Sequence, residues 1–460
     1  MAISYRKDCT AVLVGKRASA TGFPIYCHLE DNGTDDAVHL LYFARMKNLE
    51  KTLKLSHIEI PQASETFAHW AIVLAPDTPM SKEAITEAPT SPWVLCGMNE
   101  YGVSIGAHGV FSKNPLSKER GLSFFEVNKL VLERSKNARE AVNLIGQLVE
   151  DYGQMGMGTN NTYCVGASDG LWIVEVAAKN WVAKRCYDDN ILVYANQYLI
   201  ESEWDLASVD LINYAKQQAW YNPDLGKSFN FRRSYGQNLD TPYNTLREQR
   251  IISLLSPKIG HITVQDVINV TRDHYEGTEY SRYTTIDKGT SQEPYSYPPH
   301  KSPYRTICVP RTQASMVCTL RGDMPREIGN LMWLCLSSPC TSVYLPIYAG
   351  SSKAPKEYKM GGGKYDPISA WWAFDQLQRL VDDFVIDRRY VREIWDHFEQ
   401  REFDRQTEFE KAMLQVYEQD SNLANELLSQ CTYQCLSSAL DVAKILVSQG
   451  LRNYGANSFE

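Results

Sequence analysis

No stretch of the sequence approaches the ~20 continuous apolar residues that a membrane-spanning helix requires, and residues 1–8 lack the apolar core of an export signal. The expectation is therefore a cytoplasmic chain with a short leader. Positive charge is also in deficit. Lys and Arg number 47 against 55 Asp and Glu, a formal net charge of −8, which argues against nucleic acid or an anionic membrane as a default partner. The cysteines number eleven, an odd count, and most sit inside apolar runs such as Leu95-Cys96 and Trp333-Leu334-Cys335-Leu336. That usage suits small buried hydrophobes in a reducing compartment rather than a disulfide framework. Cys431 and Cys435 are four apart on an expected helix, without His or further Cys at ligand spacing, so no metal and no cofactor is expected. Met360-Gly361-Gly362-Gly363-Lys364 lacks both the G-x-x-x-x-G-K-[ST] frame and a preceding strand, and reads as a turn. There is no internal repeat and no low-complexity segment.

What is present is ordinary globular material, 43% hydrophobic and 22% charged, in a chain long enough to bury a large core. Short apolar runs predict strands at 10–14, 23–29, 38–43, 67–75, two around Asn99-Glu100-Tyr101-Gly102, two around Ser168-Asp169-Gly170, and others at 181–185 and 191–197. Between them, apolar residues at spacings of three and four from Leu122 to Tyr152 predict two amphipathic helices. Residues 200 to 300 are polar, with helical patches at 245–255 and 263–272, and the prolines between Gly277 and Tyr304 predict a long surface loop there. Strand character returns at 307–320 and 331–336. From Ile368 onward the pattern is helical.

Asp8-Cys9-Thr10-Ala11-Val12-Leu13-Val14-Gly15-Lys16, Ser19-Ala20-Thr21-Gly22 and Phe23 to Gly33 together read as a hairpin entered through a cysteine. A thiol becomes a good nucleophile when a base stands beside it. Cleavage of the Asp8–Cys9 bond would make Cys9 N-terminal, and its own α-amine, titrating near ~7.7–8.0, could be that base without any histidine. Without such cleavage, Cys9 reads as a buried structural residue.

This stretch resembles the start of mature N-terminal nucleophile (Ntn) cysteine hydrolases of the dipeptidase A and secernin type, relatives of bile-salt hydrolase and penicillin V acylase. The blocks Gly97 to Val103, Trp172 to Glu175, Trp181 to Lys184, Asn196-Gln197, Tyr344 to Gly350 and Ala370-Trp371-Trp372 extend the likeness over most of residues 9–450. The resemblance implies an α+β fold, a four-layer αββα Ntn-hydrolase sandwich of two antiparallel sheets with a helical C-terminal tail. It divides the chain into a propeptide (1–8), a core (9–365) and a helical extension packed on it (366–460). It implies amide hydrolysis through an acyl-enzyme on Cys9, with Asp31 orienting the α-amine and Asn196 assisting substrate and oxyanion binding. Two positions depart from the family pattern. His28 stands where relatives carry arginine, and Ala107, followed by His108, stands where secernin-like members carry asparagine. His28 could hold positive charge near the thiolate and His108 could replace the missing donor, or both could be structural. A family arginine is matched by either Arg247 or Arg250. The expected activity is hydrolysis of dipeptides or short peptides after removal of residues 1–8. An acylase of the bile-salt or penicillin V type and a catalytically impaired secernin-like binding protein are the alternatives. The expected partner is a dipeptide or other small amide, and a homo-oligomer is left open.

Overall fold

The cysteine-led hairpin forms. A computed structural model describes residues 8–87, 90, 92–116, 120–156, 159–281, 300 and 302–457. In it, strand Thr10–Val14 pairs antiparallel with Ile25–Asp31, with Thr10 opposite Leu29 and Val14 opposite Ile25. Residues 1–7 and most of the expected loop between Gly277 and Tyr304 lie outside the described residues.

This hairpin belongs to a six-stranded sheet whose order is Ile191–Tyr194, Thr10–Val14, Ile25–Asp31, Thr312–Leu320, Asn330–Leu336, Leu345–Tyr348. A second, eight-stranded sheet runs Leu206–Ala207, Asn180–Cys186, Gly170–Ala177, Asn160–Ala167, Ser104–Val110, Val94–Asn99, His69–Leu74, Val38–Phe43. Neighbouring strands in both are antiparallel. The sheets pack on each other, so Tyr26 of one donates to the Cys164 carbonyl of the other at 3.2 Å. Helices Phe124–Arg134 and Ala138–Tyr152 cover the outer face of the larger sheet. Helices Pro242–Leu255 and Val264–Thr271 and the C-terminal helices cover the smaller one. The result is a four-layer αββα arrangement.

The layering explains the strand sequences. An antiparallel sheet with one wet face alternates polar and apolar residues, whereas these strands are covered on both faces and read as continuous apolar runs. Thr312–Leu320, Asn330–Leu336 and Gly170–Ala177 are buried at every position. The helices begin where sequence chemistry sets them. Ser123 and Glu126 form a reciprocal capping box, and Asn137 accepts from the Glu140 amide. At the turn after Val94–Asn99, the Asn99 side chain accepts from Tyr101 and Val103 amides while Gly102 takes φ +81°.

Beyond residue 366 the chain forms helices Ala370–Asp382, Arg388–Gln419 and Ser421–Asn457. They are tied to the sheet by aromatic side chains. Trp371 Nε1 donates to Gln313 O and Trp395 Nε1 to Thr341 O, each at 3.0 Å, and Phe403 stacks on Trp333 with ring centroids 4.1 Å apart. Among the described residues no helix is long and apolar enough to cross a membrane.

Candidate active site

Cys9 precedes the first strand and is 1% exposed, with Asp8 folded over it at 5%. Burial pushes the Cys9 thiol well above its ordinary value, Glu30, Asp31 and Asp8 push the same way, and a backbone hydrogen bond from Asp31 pulls against them. With Asp8 attached, the thiol is therefore held protonated.

Two arginines converge on the bond before Cys9. Arg305 Nη2 donates to the Asp8 carbonyl oxygen at 2.6 Å and to Asp31 Oδ2 at 2.5 Å. Arg247 Nη1 donates to the same Asp8 oxygen at 3.2 Å, to Cys9 O at 3.2 Å and to Thr10 Oγ1 at 2.9 Å. Arg247 Nη2 reaches Asn196 Oδ1 at 2.9 Å and Asn244 Oδ1 at 3.2 Å. Arg247 is fully buried. Burial first, and then the neighbouring Arg305 charge, lower its pKa to about 10. Arg305 goes the other way: burial opposes its charge, but Asp31, Tyr243 and Asp8 raise it. Asp31 is buried in the second strand and also accepts from Thr312 Oγ1 at 2.5 Å.

The Asp8 side chain has its own cradle. Arg311 Nη2 donates to its carboxylate at 2.5 Å and Tyr243 OH donates to the same oxygen. Its backbone amide donates to Asp31 O at 3.2 Å.

Asn196 adopts φ +58°, a left-handed conformation that asparagine tolerates better than most residues. Its Nδ2 donates to Gly109 O at 2.9 Å, so the amide bridges the two sheets and braces Arg247.

A histidine–carboxylate chain lies beside the thiol. Ligating atoms of Cys9, His28 and Glu30 lie within 4.8 Å of one another. His28 Nε2 is 2.9 Å from Glu30 Oε2, and Asn32 Nδ2 donates to Glu30 Oε1 at 2.6 Å. His28 Nδ1 is 3.1 Å from His108 Nε2, and His108 Nδ1 is 3.3 Å from Thr162 O. A carbonyl only accepts, so His108 carries its proton on Nδ1. Burial, and next the His28 charge, push its pKa well down, leaving Nε2 to accept. His28 therefore donates from Nδ1, and its Nε2 faces the Glu30 carboxylate.

Gly106 makes room for this ring, since a Cβ there would lie 2.4 Å from His28 Nδ1. Gly106→Ala should therefore lower stability by roughly 1–3 kcal/mol, the usual cost of overpacking, read as a fall in the denaturation midpoint. The ring is wedged between His108 and Glu30 and has nowhere to move.

Of the residues the sequence singled out, Cys9, His28, Asp31, His108, Asn196 and Arg247 are brought together in this way. Ala107 and Arg250 are placed elsewhere. Strand residues alternate faces, so with Gly106 and His108 toward His28, Ala107 points to the helix-covered side. Arg250 forms a two-pronged pair with Asp273 at 2.6–3.0 Å. Arg305, Arg311, Tyr243, Thr312 and Glu30 were not singled out. Only Glu30 had a local signal: two residues from His28 on one strand, it must share that residue's face.

The family model for peptidase family C69 matches residues 8–396. The chain belongs to that family of peptidases. It is 28% identical over 398 residues to "Probable dipeptidase" of Salmonella dublin, covering 77% of this chain and 83% of that protein. It is 24% identical over 491 aligned positions to "Probable dipeptidase B" of Lactococcus lactis subsp. lactis (strain IL1403), covering 97% of each. Among solved structures, it resembles the C2A mutant of conjugated bile acid hydrolase from Clostridium perfringens (TM-score 0.40, 13% identity, 74% of this chain and 92% of that one). It also resembles penicillin V acylase from Agrobacterium tumefaciens (TM-score 0.37, 12% identity, 74% and 86%).

Proposed function

We propose that the protein is a cysteine dipeptidase of the N-terminal nucleophile type that matures by cutting its own Asp8–Cys9 bond. The observation that carries this reading is the Asp8 carbonyl oxygen gripped by Arg305 and Arg247 directly before the cysteine. Positive donors aimed at a carbonyl oxygen stabilise the oxyanion that forms on attack. Cys9 Sγ reaches the Asp8 carbonyl carbon through a five-membered ring. Attack forms the C–S bond, and the thiol proton passes by way of the Glu30 carboxylate to the Cys9 nitrogen. Collapse breaks the C–N bond, and the Cys9 nitrogen leaves as an amine. Water then hydrolyses the thioester, releasing the leader carboxylate and regenerating the thiol.

Maturation inverts the electrostatics at sulfur. Loss of Asp8 removes one of the carboxylates that oppose ionisation and adds an α-amine able to take the thiol proton. A substrate repeats the first attack with its own carbonyl between the same two arginines. The lining favours a dipeptide over an apolar acyl amide, because Arg247, Arg305, Arg311, Tyr243 and Asp31 suit a zwitterion. Intact mass and N-terminal sequencing test the reading directly. A chain beginning at Cys9 that hydrolyses dipeptides supports it, and a chain retaining Asp8 that still hydrolyses them overturns it.

Asp8 occupies the place of a substrate's N-terminal residue, so its cradle predicts side-chain preference. Dipeptides beginning with Asp should be favoured, and Arg311→Leu should reduce kcat/KM for them by roughly 10–100-fold, the worth of a hydrogen bond to a charged group. Ala-Xaa dipeptides should be nearly unaffected. Equal losses for both would remove Arg311 from recognition.

A further inference from the structure

Away from Cys9, four residues separated by gaps of 26, 8 and 32 positions converge: His274, His300, Cys308 and Cys340. One ligating atom from each lies within 4.8 Å of all the others. His274 follows helix Val264–Thr271, His300 and Cys308 precede strand Thr312–Leu320, and Cys340 follows strand Asn330–Leu336. We propose that these four side chains form a closed, tetrahedral zinc site that fastens residues 302–308 to the core.

The argument is geometric. Tetrahedral zinc with bonds of about 2.0–2.1 Å to nitrogen and 2.3 Å to sulfur sets the N···S edge at about 3.6 Å. His300 Nε2 lies 3.7 Å from Cys308 Sγ and 3.5 Å from Cys340 Sγ. Both separations are long for the strongest hydrogen bonds and match ligand–ligand edges.

The outer partners agree. Metal-bound histidines give their second nitrogen to a carboxylate or carbonyl, which fixes the tautomer and aims the lone pair. His300 Nδ1 lies 2.8 Å from Asp382 Oδ2, and His274 Nδ1 lies 3.1 Å from Glu276 Oε1. Arg388 Nη1 stands farther off, 3.5 Å from His274 Nδ1. The inward atom, His274 Nε2, is buried, faces the Cys340 thiol and makes no hydrogen bond of ordinary geometry. A buried imidazole nitrogen left unsatisfied costs stability, and a cation bound there would satisfy it. Two thiolates balance a divalent charge, and the donor set of two sulfurs and two imidazoles is one that zinc favours. A cavity of about 700 Å³, lined by Cys340, Asp273 and Glu276 among others, opens beside Cys340.

The position gives the site a consequence. Arg305, which holds Asp31 and the Asp8 carbonyl, lies between His300 and Cys308. The zinc would pin both ends of the segment that delivers it. Neither the geometry nor its test depends on the peptidase reading.

Elemental analysis of the full-length protein, expressed with zinc supplied and purified without chelator, is the test, with about one zinc per chain expected. The Cys308→Ser/Cys340→Ser variant should lose it, and His300→Ala should lose most of it. If those variants do not fold, cobalt exchanged into the unmodified chain gives an independent readout. Visible d–d bands of tetrahedral intensity with a thiolate charge-transfer band support the site. A metal-free chain, a Cys308–Cys340 disulfide, or zinc fully retained in the double variant would overturn it.

Discussion

Cys9→Ala is expected to leave the Asp8–Cys9 bond intact and to lower dipeptide hydrolysis by on the order of 10⁶, the loss seen when a catalytic nucleophile is removed. One atom carries both reactions, so the two readouts should fail together: intact mass shows the leader retained, and the peptidase assay falls to background. They come apart in a designed control. A chain in which Met directly precedes Cys9, trimmed by a methionine aminopeptidase, exposes the α-amine without self-cleavage and should hydrolyse dipeptides. The same chain carrying alanine should not. Alkylation separates the states chemically. In the uncut chain the thiol is 1% exposed and its pKa is pushed well up by burial and by Glu30, Asp31 and Asp8. Iodoacetamide should therefore modify Cys9 slowly near neutral pH, and much faster once the α-amine is freed. Equal rates before and after cleavage would mean that the amine does not act on the thiol.

The parts of this site visible in the sequence are those whose meaning is local. Residues 10–14 and 23–29 announce a hairpin because their apolar runs are bounded by turn residues, which sets Cys9 just before its first strand, whereas the role of Asp31 followed from the family resemblance. Asn196 and Arg247 followed from family blocks rather than from any periodicity. Arg305, Arg311 and Tyr243 acquire their roles only when residues roughly 300 and 240 positions away in sequence fold against Asp8, and nothing in a polar stretch distinguishes such an arginine from a solvated one. The His274–Cys340 cluster is invisible for the same reason: its spacing has none of the short pairs that mark zinc sites in sequence. Adjacent letters also mislead on a strand, where Ala107 and His108 face opposite sides. At the level of the fold, the continuous apolar strands pointed to buried sheets, whereas helix Pro79–Glu87 and strand Leu345–Tyr348 are too short or too interrupted by proline to stand out.

Arg305→Met should stop self-cleavage and weaken the fold, and the two effects can be separated. The guanidinium neutralises Asp31, which is fully buried and otherwise accepts from Thr312 Oγ1 on its other oxygen. Removing one member of a buried ion pair leaves the other charge uncompensated, at about 3–5 kcal/mol. Denaturant titration of the unprocessed chain should show a loss of that size. Replacing Asp31 with Asn in the same chain removes the stranded charge, and most of the lost stability should return. Self-cleavage should not return with it. Arg305 is also the shorter of the two donors to the Asp8 carbonyl, 2.6 Å against 3.2 Å for Arg247, so the oxyanion loses its principal partner in both variants. Loss of one such donor slows reaction by on the order of 10²–10³, which is read as the rate at which chains beginning at Cys9 accumulate. If the double variant recovers stability and processing together, Arg305 serves only to hold Asp31, and the oxyanion depends on Arg247. If stability returns while the Asp8–Cys9 bond stays uncut, the same guanidinium both supports the fold and stabilises the transition state.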